Sequence, residues 1–283
     1  MLKHWLSYLA VLAISLIAAT LASAQMGLPA ANQADAMMLE GNPWVERIQA
    51  KGTLRVGMDI FRPWAMQAKS GQYIGFEIQV AEALAADMGV KVEFVPTAWD
   101  GIIPALLTGR FDILIGSMGI TEERAKRVAF TEPYQFSGMA LAASVVAAPG
   151  LKKLEDFNKK DFRIAIKSGT TAVPAARKHL PLATIVEFDD EGQTAQELRS
   201  GRAQALVASA PYPAELALKN PKEIYLPFSG TFTREPCGMA LSPRDKEALP
   251  ALNAWIAARF KSQWLNTTWS FWFETLEWEG QLE

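Results

Sequence analysis

From Trp44 onward the chain alternates short runs of strand character with stretches of helical spacing, and this alternation limits its fold more than any other feature. LRVGM (54–58) reads as a strand. FEIQVAEALAADMG (76–89) follows, with Phe76, Val80, Leu84 and Met88 four residues apart on one helix face and Gly89 as a stop. VKVEFV (90–95) alternates as a strand, WDGIIPALLTGR (99–110) reads as a helix, and FDILIG (111–116) as a buried strand. Such alternation predicts an α/β fold, with a largely parallel sheet and helices on its faces.

The pattern then restarts. MALAASVV (139–146) and FRIAIKSG (162–169) read as strands on either side of a charged stretch, LKKLEDFNKK. A helix from Thr171 to Lys178, a strand ATIVEF (183–188), a helix EGQTAQELRSG and a strand AQALVAS (203–209) continue it. EIYLPF (223–228) and EPCGMALS (235–242) supply late strands. A helical region from Asp245 to Phe273 closes the chain and concentrates Trp255, Phe260, Trp264, Trp269 and Trp272, which are expected to pack a core.

Ahead of this, Lys3 precedes an apolar run that ends on Ala22-Ser23-Ala24, the layout of a secretory signal peptide cut after Ala24. The run is shorter than the ~20 residues of a membrane-spanning helix. Gln25 follows, so no cysteine is there for lipid attachment. Cleavage would leave 259 of the 283 residues, enough for two lobes, and would move the net charge from −2 to −3, since Lys3 is the one formally charged side chain removed. An exported, soluble, monomeric protein is expected. Residues 25–43, without clear period, read as a flexible lead-in.

Composition argues against several classes of function. A weakly acidic chain without basic clusters gives no reason to expect nucleic acid. Cys237 is the single cysteine, so no internal disulfide can form. His4 leaves with the signal and His179 sits near a helix end, which makes a hydrolytic triad or a metal site poor expectations; no cofactor is implied.

The stretch GSMGITEERAKRVAFTEPY (116–134) carries an oddity. Thr121 reads as the N-cap of a helix, and Glu122 and Glu123 suit its positive end, but Arg124 in the same turn opposes the dipole. A surface pair with Glu122 or Glu123 would explain it, and so would a ligand anion, because a guanidinium offers parallel N–H donors and keeps its charge. KSGTTA (167–172) is a second candidate. There a strand ends, a glycine turns the chain, and Thr170 or Thr171 opens a helix whose first N–H groups can hold an anion, although a plain N-cap accounts for the same threonines.

Taken together, GTLRVGMDIFRPW, GQYIGFEIQVAEALAADMG, WDGIIPALLTGRFDILIGSMGITEERAKRVAFTEPY, IAIKSGTTA and MALSPRDKEALPALNAWI, in that order, resemble the periplasmic solute-binding proteins of amino-acid ABC transporters, solute-binding family 3. The resemblance covers Trp44 to Phe273. It implies a two-lobed type II periplasmic-binding-protein fold, with a ligand cleft between lobes joined by two crossing strands. Lobe one would be 44–135 plus 232–283 and lobe two 139–228, with crossings after PYQFSG (133–138) and before TREPCG (233–238). It further implies a small carboxylate-bearing ligand, a membrane permease as partner, and no catalysis. Cyclohexadienyl dehydratases, which resemble the same family, are the enzymatic alternative, with Asp59 or Asp100 as candidate acids; a periplasmic sensor partner is another.

On the same resemblance Arg124 would grip the ligand's α-carboxylate, helped by backbone N–H groups near Ser117, Gly119 and Thr121, with the Thr170–Thr171 turn opposite. Phe61 and Trp99 would sandwich the ligand's side chain, and Trp64 would pack within the lobe. Asp59 would read a polar side chain or cap a turn, and Lys167 would face the cleft or pair at the surface. One position departs from the family pattern: where relatives carry an aspartate for the ligand's ammonium, GRAQALVASAP places Ser209. A serine offers no countercharge. The expectation is therefore a ligand without a free α-ammonium, such as a hydroxy, keto or dicarboxylic acid or a substituted amine, unless Asp59 or Glu235 pairs with it instead.

Overall fold

Nearly every period in the sequence becomes a strand or the helix that covers it. The computed structural model describes residues 37–282, so the expected signal segment lies outside the described residues. In chain order come α1 (Pro43–Lys51), β1 (Thr53–Met58), β2 (Met66–Gln67), β3 (Tyr73–Ile74), α2 (Phe76–Asp87), β4 (Lys91–Pro96), α3 (Ile102–Leu107), β5 (Ile113–Gly119), α4 (Glu122–Ala125), β6 (Ala129–Phe130) and β7 (Gln135–Ser137). Then follow β8 (Met139–Ser144), β9 (Arg163–Lys167), α5 (Ala172–His179), β10 (Thr184–Phe188), α6 (Glu191–Arg199), β11 (Ala205–Ser209), α7 (Tyr212–Lys219) and β12 (Ile224–Tyr225). β13 (Glu235–Leu241), α8 (Leu249–Lys261) and α9 (Trp264–Glu274) complete the described chain.

Two large sheets result, one per lobe, beside a small antiparallel β2-β3 ribbon. The first runs β4-β1-β5-β13-β6, with β7 also on β13; the second runs β10-β9-β11-β8-β12. β1 lies parallel to both β4 and β5, and β9 parallel to both β10 and β11, as strand–helix alternation requires. The sheets are mixed rather than largely parallel. β13 pairs antiparallel with β5, β6 and β7, and β8 antiparallel with β11 and β12. The reason is the chain path: it leaves the first sheet along β7, builds the second, and re-enters the first in the opposite direction along β13. The two crossings are hydrogen-bonded to each other, with Ser137 opposite Glu235 and Gln135 opposite Cys237. Gly138 allows this approach, since a Cβ there would lie 2.4 Å from the Thr233 carbonyl.

Three local expectations need correction. The lead-in read as flexible through residue 43 is partly seated: Leu39 is buried in the core of lobe one, and the Asn42 side chain accepts from Trp44 N–H while donating to the Glu247 carbonyl. An N-cap and a burying leucine suffice to anchor so short a segment. The helix expected over 99–110 starts as a 3-10 turn at Trp99–Gly101, and the closing helical region is broken at Gln263, whose φ of 62° is left-handed. Helix α7 has no counterpart in the sequence reading, because the prolines of PYP (211–213) look like breakers; at a helix N-terminus they are tolerated. The closing aromatics do pack a core: Trp255, Trp264 and Trp272 are buried with Trp44 and Ile48 of α1.

Candidate functional site

In an open α/β sheet the carboxyl ends of parallel strands face a crevice, because the covering helices begin there. Here the two sheets point those ends at each other. Asp59 follows β1, Trp99 follows β4, Ser117 and Gly119 end β5, Lys167 ends β9, Glu191 follows β10 and Ser209 ends β11; all line one cavity between the lobes. About 660 Å³ of space free of protein atoms, open solvent included, lies between these walls. Phe61, Arg124, Thr170 and Thr171 also line it. Of the residues expected in the site, Thr121 alone stands outside the lining. Its hydroxyl accepts from the Arg124 N–H at 3.2 Å, capping the turn that carries the arginine.

That turn, α4, is four residues long. So short a helix has little dipole for Arg124 to oppose, and its cation is explained instead by where the side chain goes. The guanidinium donates to the Gly119 carbonyl at 2.9 Å in lobe one and to the Gly169 carbonyl at 3.0 Å in lobe two. No surface pair with Glu122 or Glu123 is formed among the described ion pairs. Burial lowers the Arg124 pKa, opposed by the nearby Glu235 carboxylate, but an arginine stays charged at any physiological pH. Trp99 lies beneath it, 5.7 Å from guanidinium carbon to ring centre, and its indole N–H donates to the same Gly169 carbonyl at 3.2 Å. Gly119 is closely surrounded: a Cβ there would meet side-chain atoms of Thr171, Glu235 and Arg124 at 3.3 to 3.5 Å.

Lys167 and Asp59, both left with two readings by the sequence, resolve into one contact. They form an ion pair across the lobes, inside the cavity lining. The Thr171 hydroxyl likewise crosses, donating to Glu235 on β13. Phe61 stacks on Trp64 at 4.6 Å between ring centres and meets Tyr212 of lobe two edge-on at 5.8 Å. Trp64 is indeed buried packing, yet it lines the cavity as well. At the rim, Arg62 bridges Glu215 of α7 at 2.6 Å and Glu279 of the C-terminal tail, and its guanidinium lies over buried Trp278.

Two acids in the lining were missed. Glu77, the second residue of α2, is fully buried; the Tyr134 hydroxyl donates to it at 2.6 Å and the Gln135 amide at 2.9 Å. It sits below a bulge in β5, where Ser117 adopts φ 54° and the register against β13 slips. Burial pushes the Glu77 carboxyl up to about 8, against those hydrogen bonds. The folded state therefore keeps this proton well above the ordinary carboxyl range, whereas the unfolded chain has lost it. Stability should fall as pH rises from about 4.5 to about 8, by up to ~1.4 kcal/mol per pH unit from this group. Chemical denaturation across that range should show the slope in wild type and a shallower one in Glu77→Gln, with Glu82 and Glu191, whose burial raises their carboxyls to about 7, supplying the remainder; equal slopes would remove Glu77 as a source. Glu191, the first residue of α6, is the other missed acid. Its sequence signal, an acid after the N-cap Asp190, is what any helix start shows.

Residues 54–275 match the family model for bacterial extracellular solute-binding proteins, family 3. The chain belongs to that family. It is similar to the L-cystine-binding protein TcyJ of Escherichia coli K12, at 28% identity over 230 residues, covering 81% of this chain and 85% of the relative. It is also similar to a cyclohexadienyl dehydratase of Pseudomonas aeruginosa, at 25% identity over 235 residues, covering 81% and 86% of the two chains. Among solved structures, that of the ancestral amino-acid-binding protein AncCDT-1, a precursor of cyclohexadienyl dehydratase, superposes with a TM-score of 0.73 at 42% identity, covering 81% of this chain and 99% of that one. The family 3 assignment accounts for the two-lobed α/β architecture and for the placement of the cavity between the lobes.

Proposed function

We propose that this family 3 protein is the periplasmic component of an ABC transporter that closes its lobes on a small amino-acid-like carboxylate and presents it to a membrane permease. The observation that carries this reading is Arg124, a permanent cation whose N–H donors reach into the seam between the lobes. A carboxylate seated there would take a two-pronged ion pair in place of the two backbone carbonyls, with donors from the Thr170–Thr171 turn opposite. Trp99 and Phe61 would wall the rest of the ligand. The amino-acid-binding relatives support the class of ligand. The expected signal peptide and the periplasmic relatives support export.

Closure follows from the paired crossings, which are the narrow connection between the lobes and can absorb a hinge rotation. Small-angle scattering on the purified protein with a panel of amino acids, keto acids and dicarboxylates should show a smaller radius of gyration with the compounds that raise its melting temperature. A thermal shift with no change in scattering would remove closure from the reading, and no thermal shift with any compound would remove the ligand class.

Glu191, a half-buried acid in the cavity, is the observation that favours an enzymatic second reading, because dehydration with decarboxylation of a prephenate-like substrate needs a general acid. New aromatic absorbance on incubation with prephenate or arogenate would establish that activity; its absence leaves binding as the function.

A further inference from the structure

We propose that Glu191 supplies the countercharge for the ligand's α-ammonium, so that the ligand is a zwitterionic amino acid although β11 ends in a serine. This rests on the reading of the cavity as the ligand site with Arg124 as the carboxylate anchor. A zwitterion brings an ammonium into the closed cleft together with its carboxylate, and an ammonium buried without an anion is costly. Ser209 lines the cavity and offers a hydroxyl alone. Asp59 is committed to Lys167. Glu235 receives the hydroxyls of Thr171 and Thr233. Glu77 receives Tyr134 and Gln135 and holds its proton to about pH 8.

Glu191 differs from all three. Its backbone carbonyl is fixed by the Tyr212 hydroxyl at 3.0 Å and the Thr194 hydroxyl at 2.8 Å, which sets the residue rigidly at the cavity wall. Its carboxylate, in contrast, has a single long hydrogen bond among the described residues, from Thr194 at 3.4 Å. A carboxylate held in place at its backbone but left with spare acceptor capacity in a cavity is suited to a cationic partner. The groups around it are Lys167 from β9, Asp59 from the loop after β1, Asp190 on its own turn, and Tyr212 from α7. Burial outweighs the attraction of Lys167 and raises the carboxyl to about 7. Pairing with an ammonium requires the ionised form, so amino-acid binding releases a proton below that pH and weakens as the solution becomes more acidic.

Calorimetric titration of L-glutamine, L-arginine and L-lysine, each beside its α-keto analogue, tests this. Wild type should prefer the amino acid of the tightest pair. Glu191→Gln should lose about tenfold or more for that amino acid and little for the keto acid. Adding Ser209→Asp to Glu191→Gln should restore the preference, since it returns an acid to the same cavity. Between pH 7.5 and 5.5 the wild-type amino-acid affinity should fall while that of Glu191→Gln stays level. Equal losses for amino and keto acid would put Glu191 against another part of the ligand and overturn the proposal, as would a wild type that prefers the keto acid. An Arg124→Ala protein that binds like wild type, or no binding by any of the six compounds, would instead overturn the site reading beneath it.

Discussion

Arg124→Ala should bind its carboxylate ligand at least tenfold more weakly, and by up to several thousandfold where the cleft closes dry. Removing one partner of a buried, hydrogen-bonded charge pair costs about 2–5 kcal/mol, much of it the price of leaving the other charge unpaired. Two features put Arg124 toward the upper part of that range: its half-buried guanidinium lies against Trp99, and its donors already span the lobes. Arg124→Lys should recover part of the loss only, because an ammonium cannot present two parallel N–H groups. The variant should fold normally, since what it gives up within the protein are two hydrogen bonds to carbonyls beside the cavity. Unchanged affinity in Arg124→Ala by calorimetry would mean that the carboxylate sits elsewhere.

The largest effect on stability is expected far from the cleft, at Arg259. Its side chain is 1% exposed, pairs with Asp87 at the end of α2, and lies between the rings of Trp255 and Trp264 at 5.1 and 4.8 Å. Asp87 also accepts from the Trp255 indole N–H at 2.6 Å. This cluster fastens α8 and α9 to α2 and so ties the last part of the chain to the first lobe. Arg259→Ala strands a buried carboxylate and opens a gap between two tryptophans, and should destabilise the protein by about 3–5 kcal/mol. Replacing both charges, as in Asp87→Leu with Arg259→Met, should cost less than the two single changes added together, because no lone charge is left behind. Urea unfolding followed by tryptophan fluorescence would measure each. A loss under about 1 kcal/mol for Arg259→Ala would show that the pair contributes little beyond its own desolvation.

How much of this was legible in the sequence depends on the range over which each signal acts. Strand and helix periods are local, and β1, α2, β4, β9, β10 and β11 fall where spacing placed them. The cap at Thr121 is local too, and its hydrogen bond is present. Most of the residues gathered at the cavity were legible for a related reason: in an α/β chain, whatever directly follows a parallel strand is carried to the crevice. Asp59, Trp99, Lys167 and Ser209 share that address. Helix α7 was not legible, because two prolines look alike whether they break a helix or begin one.

By itself the sequence determined the alternation, hence parallel strands covered by helices, with the two lobes following from the family resemblance, and it singled out Arg124, a cation that its own helix turn does not explain. Tertiary structure alone decided the direction of β13, since strand period carries no sign and only the double crossing reverses the chain. It alone paired Lys167 with Asp59 across 108 positions of sequence. It alone made Glu191 a cavity acid: in sequence this is an ordinary first-turn carboxylate, and its chemistry comes from burial in the cavity wall beside Lys167 and Asp59. A carboxylate's charge is written in the chain, but its desolvation and its partners are set by surfaces that meet only in the folded molecule.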